Sequence, residues 1–219
     1  MENSEKTLIL YSGGSDSRLM LELAMIMQRD IHCLMIDYEQ LHSIELKAAE
    51  KQLAKSARNY NKTLTWSKVK VSGLHLDSAL TGDGVRGRFG SEDEISEWHV
   101  PGRNTMFAGI ALSVAENTGC KTVWLGADFS DRLNMFIDCF QDFVVAMDML
   151  YSYGASYQIK FEAPLMGLSK ENVLSLIKGF KLDVDDLFSG YGKLQNDQND
   201  TPEKTCECGP TFVCRECGL

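Results

Sequence analysis

The stretch Ser12-Gly13-Gly14-Ser15-Asp16-Ser17 has residue types and spacing that could handle a polyphosphate. Two adjacent glycines let a backbone turn sharply and come close to a ligand. They stand between an apolar run, Thr7 to Tyr11, read as a buried strand, and Arg18 to Met25, read as the helix that follows. The first turn of such a helix presents N–H groups without intrahelical partners and the positive end of its dipole. Ser12 and Ser17 add hydroxyl donors. Asp16 repels a bare phosphate, so its expected role is to orient the loop or a magnesium ion. A serine-capped helix after a glycine turn would read the same over six residues. No Gly-Lys-Ser/Thr ending follows, which removes support for a kinase or GTPase loop.

Other candidates lie further along. Cys206, Cys208, Cys214 and Cys217 crowd into the last fourteen residues, whereas Cys33, Cys120 and Cys139 are scattered through core elements. Four thiolates suit tetrahedral Zn²⁺, with free or redox-active thiols as the alternative. Arg103 could clamp a phosphate or carboxylate with two hydrogen bonds, or form a surface salt bridge. Asp128 and Asp138 could hold Mg²⁺. Asp37 could bind a ribose or nucleobase edge, or cap the next helix. His42 and His99 read equally as packing residues or substrate contacts, and Tyr38 and Phe107 as core or stacking residues. Glu92-Asp93-Glu94 reads as a solvated loop face.

The elements that must position these residues alternate between strand and helix, which favours an α/β fold with a mostly parallel sheet. Ile31 to Ile36 reads as a second strand ending at Asp37, and Glu39 to Tyr60 as an amphipathic helix with Leu46, Ala49, Leu53 and Ala57 on one face. A third strand is expected over Leu64 to Val71. Residues 72–99 read as a functional loop with fragments of helix. Asn104 to Glu116 is expected to be helical, with Phe107, Ile110, Ala111 and Val114 inward. Thr122 to Leu125 reads as the fourth strand, closed by Gly126-Ala127-Asp128. A helix from Met135 to Leu150, a strand from Gln158 to Phe161, and a helix from Lys170 to Lys178 with Ser169 as N-cap complete the pattern. Polar residues 195–200 read as a spacer. Ser12, Asp37 and Asp128 each follow an expected strand end, so they should gather on one edge of the sheet.

With 219 residues the chain fits one compact domain with a short appendage, divided at 1–190 and 191–219. Its net charge of −9 argues against a general nucleic-acid binder. No apolar run is long enough to span a bilayer, and residues 1–6 do not read as a signal peptide, so the expected location is the cytoplasm.

The glycine loop resembles the signature of the PP-loop ATP pyrophosphatases, which cleave ATP between the α and β phosphates. The wider set of motifs resembles the 7-cyano-7-deazaguanine synthase family. Ser12 to Ser17 matches that family's Ser-Gly-Gly-x-Asp-Ser loop, and Val100-Pro101-Gly102-Arg103-Asn104 its Val-Pro-x-Arg-Asn motif. Asp37-Tyr38-Glu39-Gln40-Leu41-His42 keeps four residues of Asp-Tyr-Gly-Gln-Arg-His, with Glu39 for Gly and Leu41 for Arg. Ser78-Ala79-Leu80-Thr81, the segment from Gly126 to Asp138-Cys139, Ala163-Pro164-Leu165, Ser169-Lys170 and the terminal cysteines complete the likeness, although Cys206 follows a spacer and Cys208 and Cys214 are unusually far apart.

The resemblance implies a Rossmann-like adenine nucleotide alpha-hydrolase fold with a helical C-terminal part and a four-cysteine zinc appendage. It implies ATP, Mg²⁺ and Zn²⁺ as cofactors, with catalysis by Ser12, Asp16, Ser17 and Arg103. Nucleotide contacts are expected at Tyr11 to Ser17, including Gly13, Gly14 and Ser15, and at Asp37, Asn104, Gly126, Asp128 and Asp138. The implied substrates are 7-carboxy-7-deazaguanine and ammonia. Adenylation would make the acid electrophilic, ammonia would give the amide, and a second adenylation would leave the nitrile. No membrane or nucleic-acid partner is expected, and similar proteins pair as homodimers. The rival readings are an amidase that stops at the amide, tRNA sulfuration through Cys139, and a zinc-ribbon adaptor without catalysis.

Overall fold

The computed structural model describes residues 5–39, 44–62, 64–73, 100–129, 137–182, 188–189 and 192–193. Gln40, Leu41 and His42, residues 74–99 with Ser78 to Thr81 and His99, Gly190, the 195–200 spacer and all four terminal cysteines lie outside them.

Five strands form a wholly parallel sheet in the order β3-β2-β1-β4-β5: β1 Lys6–Leu10, β2 Asp30–Asp37, β3 Thr65–Lys70, β4 Thr122–Trp124 and β5 Lys160–Glu162. Side chains alternate across it. Ile9, Ile31, Cys33, Met35 and Trp124 enter one core, whereas Leu8, Leu10, Leu34, Ile36 and Val123 enter the other. Helices α1 (Ser15–Ile26), α2 (Ile44–Asn59) and, at the end of the chain's α/β part, α5 (Lys170–Gly179) cover the first face. Helices α3 (Arg103–Thr118) and α4 (Gln141–Gly154) cover the second. The arrangement follows from the handedness of crossovers. β1 to β2 to β3 runs one way along the sheet and β3 to β4 to β5 the other, so right-handed connections put their helices on opposite faces. The reversal falls between β1 and β4, where a parallel sheet leaves a crevice beyond its carboxyl ends.

Several boundaries differ from the sequence reading. Ser15 to Ser17 already belong to α1, because Gly14 at the N-cap completes the turn. The helix expected from Glu39 begins at Ile44, since Glu39 takes a left-handed φ of 63° that a helix cannot accommodate. In α3 the fully buried stripe is Asn104, Ala108, Ala111 and Ala115, and Phe107, Ile110 and Val114 flank it half-buried. Small residues win there because the helix lies close over β1, β2 and β4. The helix expected from Met135 starts at Gln141, behind a 3₁₀ turn at Ile137–Cys139, and the fifth strand runs Lys160–Glu162. A short antiparallel pair, β6 (Phe188–Ser189) with β7 (Gly192–Lys193), was not anticipated. Cys33, Cys120 and Cys139 are buried free thiols, as expected.

Glu39 occupies the position at which the resembled family has glycine, and its positive φ gives the reason. The Asp37 carboxylate accepts a hydrogen bond from the Glu39 amide at 3.2 Å, and Lys70 lies 3.8 Å from the exposed Glu39 carboxylate, an ion pair of small value. Glu39→Gly should therefore raise the melting temperature by about 1–3 °C, since relief of left-handed strain outweighs the added freedom of the unfolded chain. A lower melting temperature in a thermal scan would count against this account of the turn.

Candidate active site

Strand β1 delivers the chain into the glycine turn, and the turn closes on itself through its serines. The Gly13 amide donates to Ser17 Oγ at 3.1 Å, Ser17 Oγ donates to the Gly14 carbonyl at 3.0 Å, and the Gly14 amide donates to Ser12 Oγ at 3.3 Å. From below, Gln52 of α2 donates to the Gly13 carbonyl at 3.1 Å and accepts from the Tyr11 hydroxyl at 2.6 Å. Tyr11 is almost wholly buried, and burial pushes its hydroxyl pKa up, so it acts as a neutral donor that holds Gln52. Its side chain thus supports the loop from within the core. Ser15 Oγ is buried and has no hydrogen-bond partner among the described residues.

Two glycines set how closely the parts approach. Gly13 has φ 88°, and a Cβ there would stand 3.0 Å from Ala49 Cβ on α2. At the end of β4, a Cβ on Gly126 would stand 3.3 Å from Asp16 Cβ and 3.1 Å from Met20 Cε. The first turn of α1 therefore lies directly against the β4 carboxyl end.

Asp16 and Asp128 meet there. Asp128 is only 1% exposed. Lys170 spans both, its Nζ at 2.9 and 2.7 Å from the two Asp16 carboxylate oxygens and 3.3 Å from Asp128 Oδ2. Burial pushes the Asp16 carboxyl pKa up, Lys170 pulls it down and Asp128 adds to the rise. A backbone bond from the Phe129 amide to the Leu168 carbonyl at 2.8 Å brings the two segments together. Ser169 then caps α5 in a reciprocal box with Asn172, which fixes the first helical residue, Lys170. The sequence reading used Ser169-Lys170 to start a helix and as part of the family likeness, and gave Lys170 no place in the site. The signal it passed over is a cation at the first position of a helix, where the dipole disfavours positive charge.

The remaining candidates divide. Asp37 ends β2 at the same edge, and its carboxylate closes the Glu39 turn. Arg103 opens α3 behind Gly102, with its amide bonded to the Val100 carbonyl at 3.2 Å. Asn104 is buried and donates to the Asp138 carbonyl at 3.3 Å and toward Cys139 Sγ at 3.5 Å, so it ties α3 to the 3₁₀ turn. Asp138 enters this arrangement through its backbone, and the partner brought to Asp128 is Asp16. Among the described residues no cluster of three or more His, Cys, Asp or Glu side chains could hold a metal by itself. No helix among them is long and apolar enough to cross a membrane.

The donor set nevertheless suits Mg²⁺ shared with a polyphosphate: two hard carboxylates, the N-terminal end of α1, and an unsatisfied buried hydroxyl on its first residue. A glycine turn at the β1/β4 switch point, with one carboxylate on the first turn of α1 and another just beyond β4, defines a nucleotide-binding α/β protein of the PP-loop class. The chain belongs to the family described as queuosine biosynthesis protein QueC, whose model matches residues 6–219. It is 32% identical over 219 residues to the 7-cyano-7-deazaguanine synthase of Leptospira interrogans serovar copenhageni, covering 97% of this chain and 84% of that one. It is 34% identical over 187 residues to the synthase of the same name from Coxiella burnetii strain RSA 331, covering 83% and 80%. A likeness in fold alone extends to the U34-tRNA thiolase NcsA from Methanococcus maripaludis, with TM-score 0.54 and 16% identity over 94% of this chain and 63% of that one.

Gly13→Ala should destabilise the protein by about 2–3 kcal/mol, the sum of left-handed strain and crowding against Ala49. Gly102→Ala carries the strain alone, because Gly102 has φ 66° with nothing near its absent Cβ, and should cost about half as much. Equal losses in urea titrations would show that contact with Ala49 does not set the loop.

Proposed function

We propose that this protein converts 7-carboxy-7-deazaguanine and ammonia to 7-cyano-7-deazaguanine with two molecules of ATP, each released as AMP and diphosphate. The observation that carries the reading is the carboxylate pair Asp16 and Asp128, bridged by Lys170 beside the Ser12-to-Ser17 turn, in a chain matched to the family from residue 6 to 219.

A carboxylate is a poor electrophile because its oxygen leaves badly. Its attack on the α phosphorus breaks the bond to the bridging oxygen, forms an acyl-adenylate and releases diphosphate. Ammonia then displaces AMP and loses a proton to give the amide. The amide oxygen repeats the attack, and loss of AMP with the remaining N–H protons leaves the nitrile. Dehydrating an amide in water is uphill, which accounts for the second ATP.

Ser12, Gly13, Gly14, Ser15 and Ser17 hold the departing diphosphate, where negative charge grows. Arg103 clamps phosphate or the substrate carboxylate, Asp37 and Asn104 line the nucleoside or deazapurine side, and Gly126 leaves room for the approach of Asp16. Asp16 and Asp128 would hold Mg²⁺, with Asp138 as a further candidate ligand; when bound, the ion would shield the triphosphate. Cys206, Cys208, Cys214 and Cys217 hold a structural zinc. The enzyme works in the cytoplasm as a homodimer.

Mass spectrometry of a reaction with ATP, Mg²⁺, ammonium and 7-carboxy-7-deazaguanine should show nitrile and AMP. Amide as the final product would make the protein an amidating relative, and no deazapurine product would overturn the reading. Asp16→Asn should lower turnover at least about a hundredfold. It should leave stability unchanged or raised, because burial and Asp128 raise the Asp16 carboxyl pKa in the folded state, so its charge costs stability there that a neutral amide does not. Metal analysis of protein purified without chelators should find about one zinc per chain. None would reduce the terminal cysteines to plain thiols.

A further inference from the structure

Lys170 stands in an electrostatically unusual place. It is the first residue of α5, where the helix dipole disfavours a cation, and it points toward the N-terminus of α1, a second positive end. Two positive helix ends and an ammonium converge on one spot. What holds them together is the pair of carboxylates, and Nζ contacts three of their oxygens at 2.7, 2.9 and 3.3 Å. A divalent cation shared by Asp16 and Asp128 would compete with the ammonium for these same oxygens. A lysine chain is long and rotatable, whereas Asp128 is buried and short. Of the three groups, Lys170 is the one able to move.

We propose that Lys170 is an exchangeable counter-ion. It holds the carboxylates together and leaves them when a metal–nucleotide complex is bound, carrying its positive charge to the phosphate oxygens. This rests on the reading of Asp16 and Asp128 as metal ligands. The charges give it a direction. Two carboxylates and one ammonium sum to −1, a weak lure for a free divalent cation and a mildly repulsive surface for a free polyanion. Both obstacles fall together when cation and polyphosphate arrive as one species, for then the lysine has somewhere to go. Lys170 thereby favours joint binding over binding of metal alone.

The test is a titration with Mn²⁺ alone, followed by electron paramagnetic resonance, on the whole protein without nucleotide. Lys170→Met and Lys170→Gln both remove the charge, and Gln keeps a donor for Asp16 should Met fail to fold. Each variant should bind Mn²⁺ at least about tenfold more tightly than wild type, whereas Lys170→Arg should not. Adding a non-hydrolysable ATP analogue should improve Mn²⁺ binding strongly in wild type and much less in the neutral variants. Folded neutral variants with wild-type Mn²⁺ affinity would overturn the proposal. So would loss of Mn²⁺ binding in both, which would make the lysine merely structural. The titration needs no deazapurine, so a failed product assay overturns the proposed reaction without touching this result. Conversely, Mn²⁺ affinity unaffected by Asp128→Asn in the Lys170→Gln background would reject the carboxylate pair as ligands.

Discussion

Two carboxylates held side by side at the end of a sheet, one of them almost wholly buried, repel each other and resist leaving water. The structure meets that difficulty with three devices that converge on the same spot. The dipole of α1 favours negative charge at Asp16, Lys170 bridges the pair, and the Phe129–Leu168 backbone bond holds the Lys170 segment against the one that bears Asp128. None of these would serve if α1 stood further from β4. Gly126 permits the approach, and Gly13, pressed against Ala49, sets the angle at which the chain leaves β1. Packing and electrostatics are thus one problem here: absent methyl groups bring the charges close, and the closeness requires the lysine.

The loop is as carefully supported on its inner side. Tyr11, Gln52 and the Gly13 carbonyl form a buried chain of hydrogen bonds that fixes a turn otherwise free to choose among conformations. Ser17 and Ser12 accept from the amides of Gly13 and Gly14, so the shape of the turn is fixed by its own hydrogen bonds before any phosphate arrives. A binding surface arranged in advance needs little reorganisation when charge develops on it.

Much of this was legible in the residues. The alternation of apolar runs yielded the parallel sheet, the glycine loop its position at the switch point, and Asp128 its place on the same edge as Ser12. What the pattern could not show depended on contacts distant in sequence. Ala49 reads as an ordinary apolar position of an amphipathic helix, and Gln52 carries no signal of its own, until the loop is seen resting on them. Lys170 read as the start of a helix because its partners lie far upstream. Ala111 is buried as expected, but Ala108 and Ala115 are buried more fully than Phe107, Ile110 and Val114, which reflects how near α3 sits to the sheet, a tertiary distance that periodicity does not encode. Glu39 is a local matter, yet its left-handed backbone shows only through the glycine that stands there in the resembled family.

The bond between Lys170 and Asp16 joins residues 154 positions apart. A ribosome therefore releases the glycine loop, the sheet's first four strands and both aspartates well before the residue that balances their charge. Until that point the nascent chain carries both anions without the ammonium that bridges them. Docking of the last helix is then the event that completes the centre, late in synthesis and late in folding. Competence for chemistry and completion of the α/β domain coincide, so a prematurely ended chain would carry the recognisable nucleotide motif without the arrangement that makes it useful.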